Sequence, residues 1–328
     1  MLTKHPFGQS PLSTTRLGLG MAALGRPGYI NLGHADDLNR NYAVEAMEQK
    51  AHHVLQYAWE QGIRYFDTAR SYGKGELFLG NWLRRTSLSH DALMIGSKWG
   101  YTYTADWAIE AEKHEVKEHS LTVLNRQWQE TQATLGEYLD LYQIHSATLE
   151  SGVLTNTDVL NRLAALKSQG TLIGLSLSGS NQGEVLRAAM AIKIDGLTLF
   201  DSVQATYNLL EPSAGEILQE AHYAGMGVII KEALANGRLS SRNQDPILAP
   251  LREEAAAQNV GIDALALAAV LSQPWADVVL SGAATIEHLS SNLQAIDIAW
   301  HDVFDERFQS LREAPEKYWQ TRKELHWN

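Results

Sequence analysis

Eight short apolar runs alternate with amphipathic helical stretches along almost the whole chain, and this rhythm constrains the fold more than any other feature. The runs lie near Thr15–Gly20, Ile63–Thr68, Leu93–Trp99, Leu139–His145, Ile173–Leu177, Ser202–Tyr207, Gly227–Glu232 and Asp277–Ser281. Strands that alternate with helices predict a parallel sheet with crossover helices. Eight such units favour a closed (β/α)8 TIM barrel over an open sheet. The intervening stretches carry the helical period: Ala51–Gln61 places Val54, Leu55, Ala58 and Trp59 on one side, and His119–Leu135 and Asp158–Gln169 read likewise. Gly62, Gly136 and Gly170 stand where helix C-caps are expected.

The length of 328 residues suits one barrel with additions. No composition break divides the chain, so residues 1–328 read as a single domain. A short hairpin turning at Phe7-Gly8-Gln9-Ser10 is expected to plug the barrel bottom. Two long βα loops, Met21–Gln49 and Gly100–Glu118, are expected to shape a pocket at the C-terminal face. The tail carrying Tyr318, Trp319 and Trp327 is expected to fold back over that face.

Composition narrows the chemistry. A formal net charge of −11 argues against nucleic acid as the partner. The absence of cysteine excludes disulfides, thiolate catalysis and Cys-ligated metals. No run reaches the roughly 18 apolar residues of a membrane span, and Met1–Pro6 shows no signal-peptide pattern. A cytoplasmic protein, monomeric or a small homo-oligomer, is expected.

Four polar residues stand at or just after strand ends: Asp67, Tyr72, Lys98 and His145. A lysine ending an apolar strand needs a counter-ion, and Asp67 on the neighbouring strand is its natural partner. Together the four can move a proton on an oxygen beside a carbon that exchanges hydride. Other strings are decoys. Gly18-Leu19-Gly20-Met21-Ala22-Ala23 fits a dinucleotide fingerprint, but no helix pattern follows it. His114 and His119 are five apart, and two zinc ligands on one helix face need four. No metal site is expected.

The strings Gly18-Leu19-Gly20, Phe66-Asp67-Thr68-Ala69 with Tyr72-Gly73, Ser97-Lys98, Asp140-Leu141-Tyr142 through His145, Ile173-Gly174-Leu175-Ser176, Gly237-Arg238-Leu239 and Ser281-Gly282-Ala283 through Asn292 run end to end. In this order the chain resembles the aldo-keto reductase family of (β/α)8-barrel oxidoreductases. The resemblance implies a metal-free enzyme that interconverts a small carbonyl compound and its alcohol with NADPH, NADH being the alternative. It implies Tyr72 as general acid/base, Lys98 lowering its pKa, Asp67 holding Lys98, and neutral His145 orienting the substrate oxygen. It also implies cofactor contacts at Ser176, Gln204, Tyr207, Gly237, Arg238, Gly282, Ala283, Thr285, His288 and Asn292. Leu177 departs from the pattern, since the family has an asparagine there. No Arg or Lys stands near Ala284 or Thr285 to pair with a 2′-phosphate; Arg238 and Lys231 are the nearest spare cations in sequence. Lys231 and Glu232 either line the pocket or pair elsewhere. Tyr29, Trp99 and Trp107 are expected to wall the substrate pocket.

Two other readings remain. One is a nicotinamide-binding regulatory subunit with slow turnover. The other is a lyase or isomerase using Lys98 as a Schiff base, which borohydride trapping would reveal.

Overall fold

The computed structural model describes residues 2–328. A hairpin of β1 (Lys4–Pro6) and β2 (Ser13–Thr15) precedes the first barrel strand, β3 (Leu17–Gly20). The long loop after it carries the short helix α1 (His34–Asp37) and leads into α2 (Val44–Glu60). Then come β4 (Tyr65–Asp67), α3 (Gly75–Thr86) and β5 (Met94–Trp99), followed by a small hairpin of β6 (Tyr101–Tyr103) and β7 (Glu115–Lys117). The barrel continues through α4 (Leu121–Leu135), β8 (Leu141–Ala147), α5 (Thr157–Ser168), β9 (Leu172–Leu177) and α6 (Gln182–Met190). A two-residue pair, β10 (Lys193–Ile194) and β11 (Leu197–Thr198), precedes β12 (Ser202–Thr206), α7 (Gly215–Tyr223) and β13 (Gly227–Lys231). The chain ends with α8 (Ala249–Ala257), α9 (Ile262–Leu271), β14 (Val278–Ser281), α10 (Ile286–Leu293), α11 (Asp302–Arg307) and α12 (Pro315–Lys323).

Strands β3, β4, β5, β8, β9, β12, β13 and β14 close into a parallel barrel in that order. The expected strands fall within two residues of those observed. Helix α2 begins earlier than the expected Ala51, because Ala43 at its N-cap supplies no side-chain cap to mark the start. Among the described residues, no single helix is long and apolar enough to cross a membrane.

Strand alternation positions the chemistry. Along β4, Tyr65 and Asp67 point into the barrel while Phe66 joins the outer core; along β5, Ile95 faces outward between inward Met94 and Gly96. The lower interior is apolar, built from Phe7, Tyr65, Met94, Leu141, Ile229 and Val278. Phe7, at the hairpin turn, is fully buried and stacks on Tyr65 at 6.4 Å, so the hairpin does plug the bottom. Gly18 owes its place to packing: a Cβ there would lie 2.9 Å from both Tyr65 and Val278. The upper interior layer is polar, and it holds Asp67, Lys98, Gln143, Ser176 and Gln204.

Candidate active site

The tetrad residues converge at the C-terminal mouth. Lys98, fully buried, donates to the Asp67 carboxylate and to the Thr68 carbonyl at 2.9 Å, and reaches the Tyr72 hydroxyl at 3.4 Å. Gln204 Nε2 donates to Asp67 Oδ1 at 2.9 Å, and the Tyr65 hydroxyl approaches the same oxygen at 3.3 Å. His145 presents its ring edge-on to Tyr72 with centroids 5.6 Å apart, and its Nδ1 lies 3.4 Å from Ser71 Oγ. Tyr101 packs on the imidazole at 4.9 Å.

The loop that holds Tyr72 is fixed from both sides. Arg70 N donates to the Lys98 carbonyl at 3.0 Å, and Gly75 N donates to the Tyr72 carbonyl at 2.8 Å. Gly73 takes φ 57°, a left-handed turn that glycine adopts without penalty. Behind the loop, buried Glu76 accepts from Arg70, Ser97 and Thr131, tying α3 to β5 and α4. Gly25 packs against this turn so closely that a Cβ would lie 2.6 Å from Gly75 Cα and clash with the Tyr72 carbonyl.

Burial shifts three of these groups. Burial lowers the Lys98 pKa, and the Asp67 carboxylate opposes that drop. Burial, then the nearby Lys98 cation, holds the His145 pKa well below the usual histidine value, so the ring is neutral. Tyr72 departs from expectation: burial and the Asp67 charge push its pKa well above the ordinary phenol value, with Arg26 acting against them. Burial, reinforced by the Asp67 charge, therefore keeps Tyr72 at rest as a neutral acid.

A cavity of about 400 Å³ opens above the tetrad. Asp67, Tyr72, His145, Gln204 and Tyr29 line its inner end, while Gly237, Gly282, Ala283, His288 and Asn292 line the rest. Two buried side-chain oxygens on this wall, Asn236 Oδ1 and Asn292 Oδ1, have no hydrogen-bond partner. Such orphans suit a ligand with amide or amine donors. The loop after β14 adds the start of α10, capped by Thr285, which accepts from His288 N at 3.2 Å. The start of α10 with the open Gly282 suits a phosphate, and the two orphan oxygens suit amide or amine hydrogens, so the wall fits an elongated cofactor that carries both.

Six expected contacts lie outside this wall. Trp99 follows inward-facing Lys98, so alternation turns it into the outer core, where it meets His119 edge-on. Trp107 packs on Phe78 and donates to the Tyr42 carbonyl at 2.6 Å. Tyr207 likewise follows inward Thr206 and packs on Trp275 at 4.9 Å. Arg238 is taken by Glu313 in a bidentate pair, and Thr285 serves its cap. Ser176 Oγ is buried and accepts from Ser146 N at 2.8 Å; Ser178, two residues on, lines the cavity instead.

The wall also contains residues that sequence reasoning missed. Arg242 donates to both oxygens of Asp37 and to the Leu32 carbonyl, and its Nη2 lies 3.5 Å from His288 Nε2. Arg26, buried, pairs with Glu115 at 3.0 Å and lies over the rings of Tyr29, Tyr72 and Trp327. From the tail, Arg322 and Trp327 reach the mouth, and Trp327 stacks on His114 at 3.9 Å. The expected fold-back of the tail is thus observed. The His114–His119 segment runs through strand β7, and His119 Nε2 lies 2.9 Å from the His145 carbonyl.

A family model described as the aldo/keto reductase family matches residues 16–313, and the chain belongs to that family. Its members are oxidoreductases that act on small carbonyl compounds with nicotinamide cofactors. The chain is 25% identical to the uncharacterized oxidoreductase YqkF of Bacillus subtilis (strain 168), over 90% of this chain and 91% of that protein. It is 27% identical to pyridoxal 4-dehydrogenase of Microbacterium luteolum, over 73% of this chain and 72% of that one. The holo form of aldo-keto reductase AKR11C1 from Bacillus halodurans shares the fold with a TM-score of 0.72 at 20% identity, covering 96% and 97% of the two chains.

Proposed function

We propose that this protein is an NAD(P)H-dependent carbonyl reductase or alcohol dehydrogenase in which Tyr72 is the general acid/base. The observation that carries the reading is the meeting of the Tyr72 hydroxyl, Lys98, Asp67 and His145 beneath a cavity lined by groups that suit a dinucleotide. The bound nicotinamide supplies the hydride. Tyr72, held neutral, donates its proton to the substrate oxygen as charge grows there. Lys98, already paired with Asp67, then stabilises the tyrosinate across 3.4 Å. His145, with Ser71 at Nδ1, keeps its other nitrogen for the substrate oxygen. Gln204, Asn236, Gly237, Gly282, Ala283, His288 and Asn292 hold the cofactor. Lys98 lies behind Asp67 rather than on the cavity wall, which weighs against a Schiff base.

Arg242, beside His288, favours NADPH, because a guanidinium pairs well with a 2′-phosphate. A second reading, NADH, is favoured by the ion pair that Arg242 already makes with the buried Asp37 carboxylate, which weakens its pull on a 2′-phosphate. Tryptophan fluorescence titration with each cofactor tests both. Under the first reading, Arg242→Ala weakens NADPH binding more than tenfold and leaves NADH binding unchanged. Failure of both cofactors to bind overturns the assignment.

A further inference from the structure

One cation on the cavity wall has no role in the reaction as described. Lys231 ends β13, and Glu232 follows it. Successive strand residues normally point to opposite sides. Here Glu232 adopts φ 55°, a left-handed conformation that is costly for a non-glycine residue, and both side chains line the cavity. The two make only a long ion pair at 4.0 Å, because Glu232 has a closer partner. Arg322 from α12 takes both oxygens of Glu232, with Nε at 2.8 and 3.0 Å and Nη2 at 2.5 Å. Thr206 Oγ1 adds a contact to Glu232 at 3.1 Å.

Lys231 is left with Thr206 Oγ1 at 3.0 Å and a distant Glu232 oxygen at 4.0 Å. Its ammonium has three protons, and among the described residues only Thr206 accepts one within hydrogen-bond distance. The other charges near the tetrad are matched: Lys98 with Asp67, Arg26 with Glu115, Arg322 with Glu232. Two cations, Arg322 and Lys231, thus share the single carboxylate of Glu232, which leaves one positive charge in excess at this cluster, in a chain whose formal net charge is −11.

We propose that Lys231 is a specificity-determining residue: it pairs with an anionic group, a carboxylate or a phosphate, on the carbonyl substrate reduced at Tyr72. Resting on the carbonyl-reductase reading, this names the substrate class of the same site. A buried cation with spare donors gains from an anion and gains nothing from a neutral ligand of the same shape. Trp319, whose ring lies 5.7 Å from the ammonium, places a fluorophore beside the proposed contact.

The test compares matched substrates with whichever cofactor binds: glyoxylate against acetaldehyde, succinic semialdehyde against butanal, and glyceraldehyde 3-phosphate against glyceraldehyde. The expected result is a kcat/KM preference of tenfold or more for at least one anionic partner. The pair that shows it separates carboxylate from phosphate. In Lys231→Met that preference collapses through KM, and in Lys231→Arg it is largely restored. Equal kcat/KM values within every pair, with the neutral aldehydes turned over, overturn the inference and leave the reductase reading intact. Should no aldehyde react, the reductase reading fails, and binding decides the role of Lys231. The protein is then titrated with 4-hydroxybutyrate, 1-butanol and inorganic phosphate while tryptophan fluorescence is followed. A response to either anion that disappears in Lys231→Met supports the anion site; no response, or one unchanged in the variant, refutes it.

Discussion

Replacing Arg322 with methionine keeps an unbranched apolar stem but strips Glu232 of its principal partner. Glu232 is only 8% exposed; burial pushes its pKa up, but Arg322, with help from Lys231 and Thr206, overrides this and holds it at about 2 against a reference of 4.5. At 1.36 kcal/mol per pKa unit that difference corresponds to about 3 kcal/mol. Breaking a buried pair from one side typically costs about 3–5 kcal/mol. Lys231 and Thr206 retain part of the stabilisation, so a loss of about 2–3 kcal/mol is expected at pH 7. The sign follows from a depressed carboxylate pKa. The stabilisation is present above about pH 4.5 and is lost as pH falls from there toward 2. Urea unfolding at a series of pH values measures both quantities, and hydrogen exchange in α12 separates local release of the tail from global unfolding. Arg322→Met should lower stability at pH 7, speed exchange in α12 and flatten the slope below pH 4.5. A variant within 0.5 kcal/mol of wild type, roughly the scatter of ordinary surface substitutions, with an unchanged acid limb, would refute the reasoning.

Two other predictions concern the scaffold. Phe7→Ala empties the barrel bottom and should cost about 3–5 kcal/mol, read as a lower urea midpoint with little change in cofactor affinity. Gly25→Ala forces a methyl against Gly75 and the Tyr72 carbonyl; kcat should fall at least tenfold while cofactor titration stays near wild type, and unchanged kcat would show that the turn yields without moving Tyr72.

The barrel was legible because alternation and helical period are local signals. Asp67, Lys98 and His145 were legible because each closes an apolar run, and a charged or imidazole group there must face the mouth. The same alternation, applied one residue further, turns Trp99 outward after Lys98 and Tyr207 outward after Thr206; reading aromatic type without parity placed both in the pocket. What stayed hidden depends on long-range loop contacts. Asp37 meets Arg242 across 205 residues, and Glu232 meets Arg322 across 90, pairings that no local pattern encodes. The left-handed turn at Glu232 is equally silent, since nothing in the residue type asks for it. The direction of the Tyr72 pKa was not legible because the balance of burial, Asp67 and Arg26 rests on distances that only the folded site sets.

The central claim is that Tyr72 carries the proton. The most direct measurement is single-turnover reduction of an aldehyde by Tyr72→Phe preloaded with its cofactor, followed by the loss of reduced-nicotinamide absorbance. Loss of hydride transfer by about 10²–10⁴-fold, the usual worth of general acid/base catalysis, with cofactor affinity within a few-fold of wild type, is the predicted result. Transfer at a wild-type rate in that variant would contradict it.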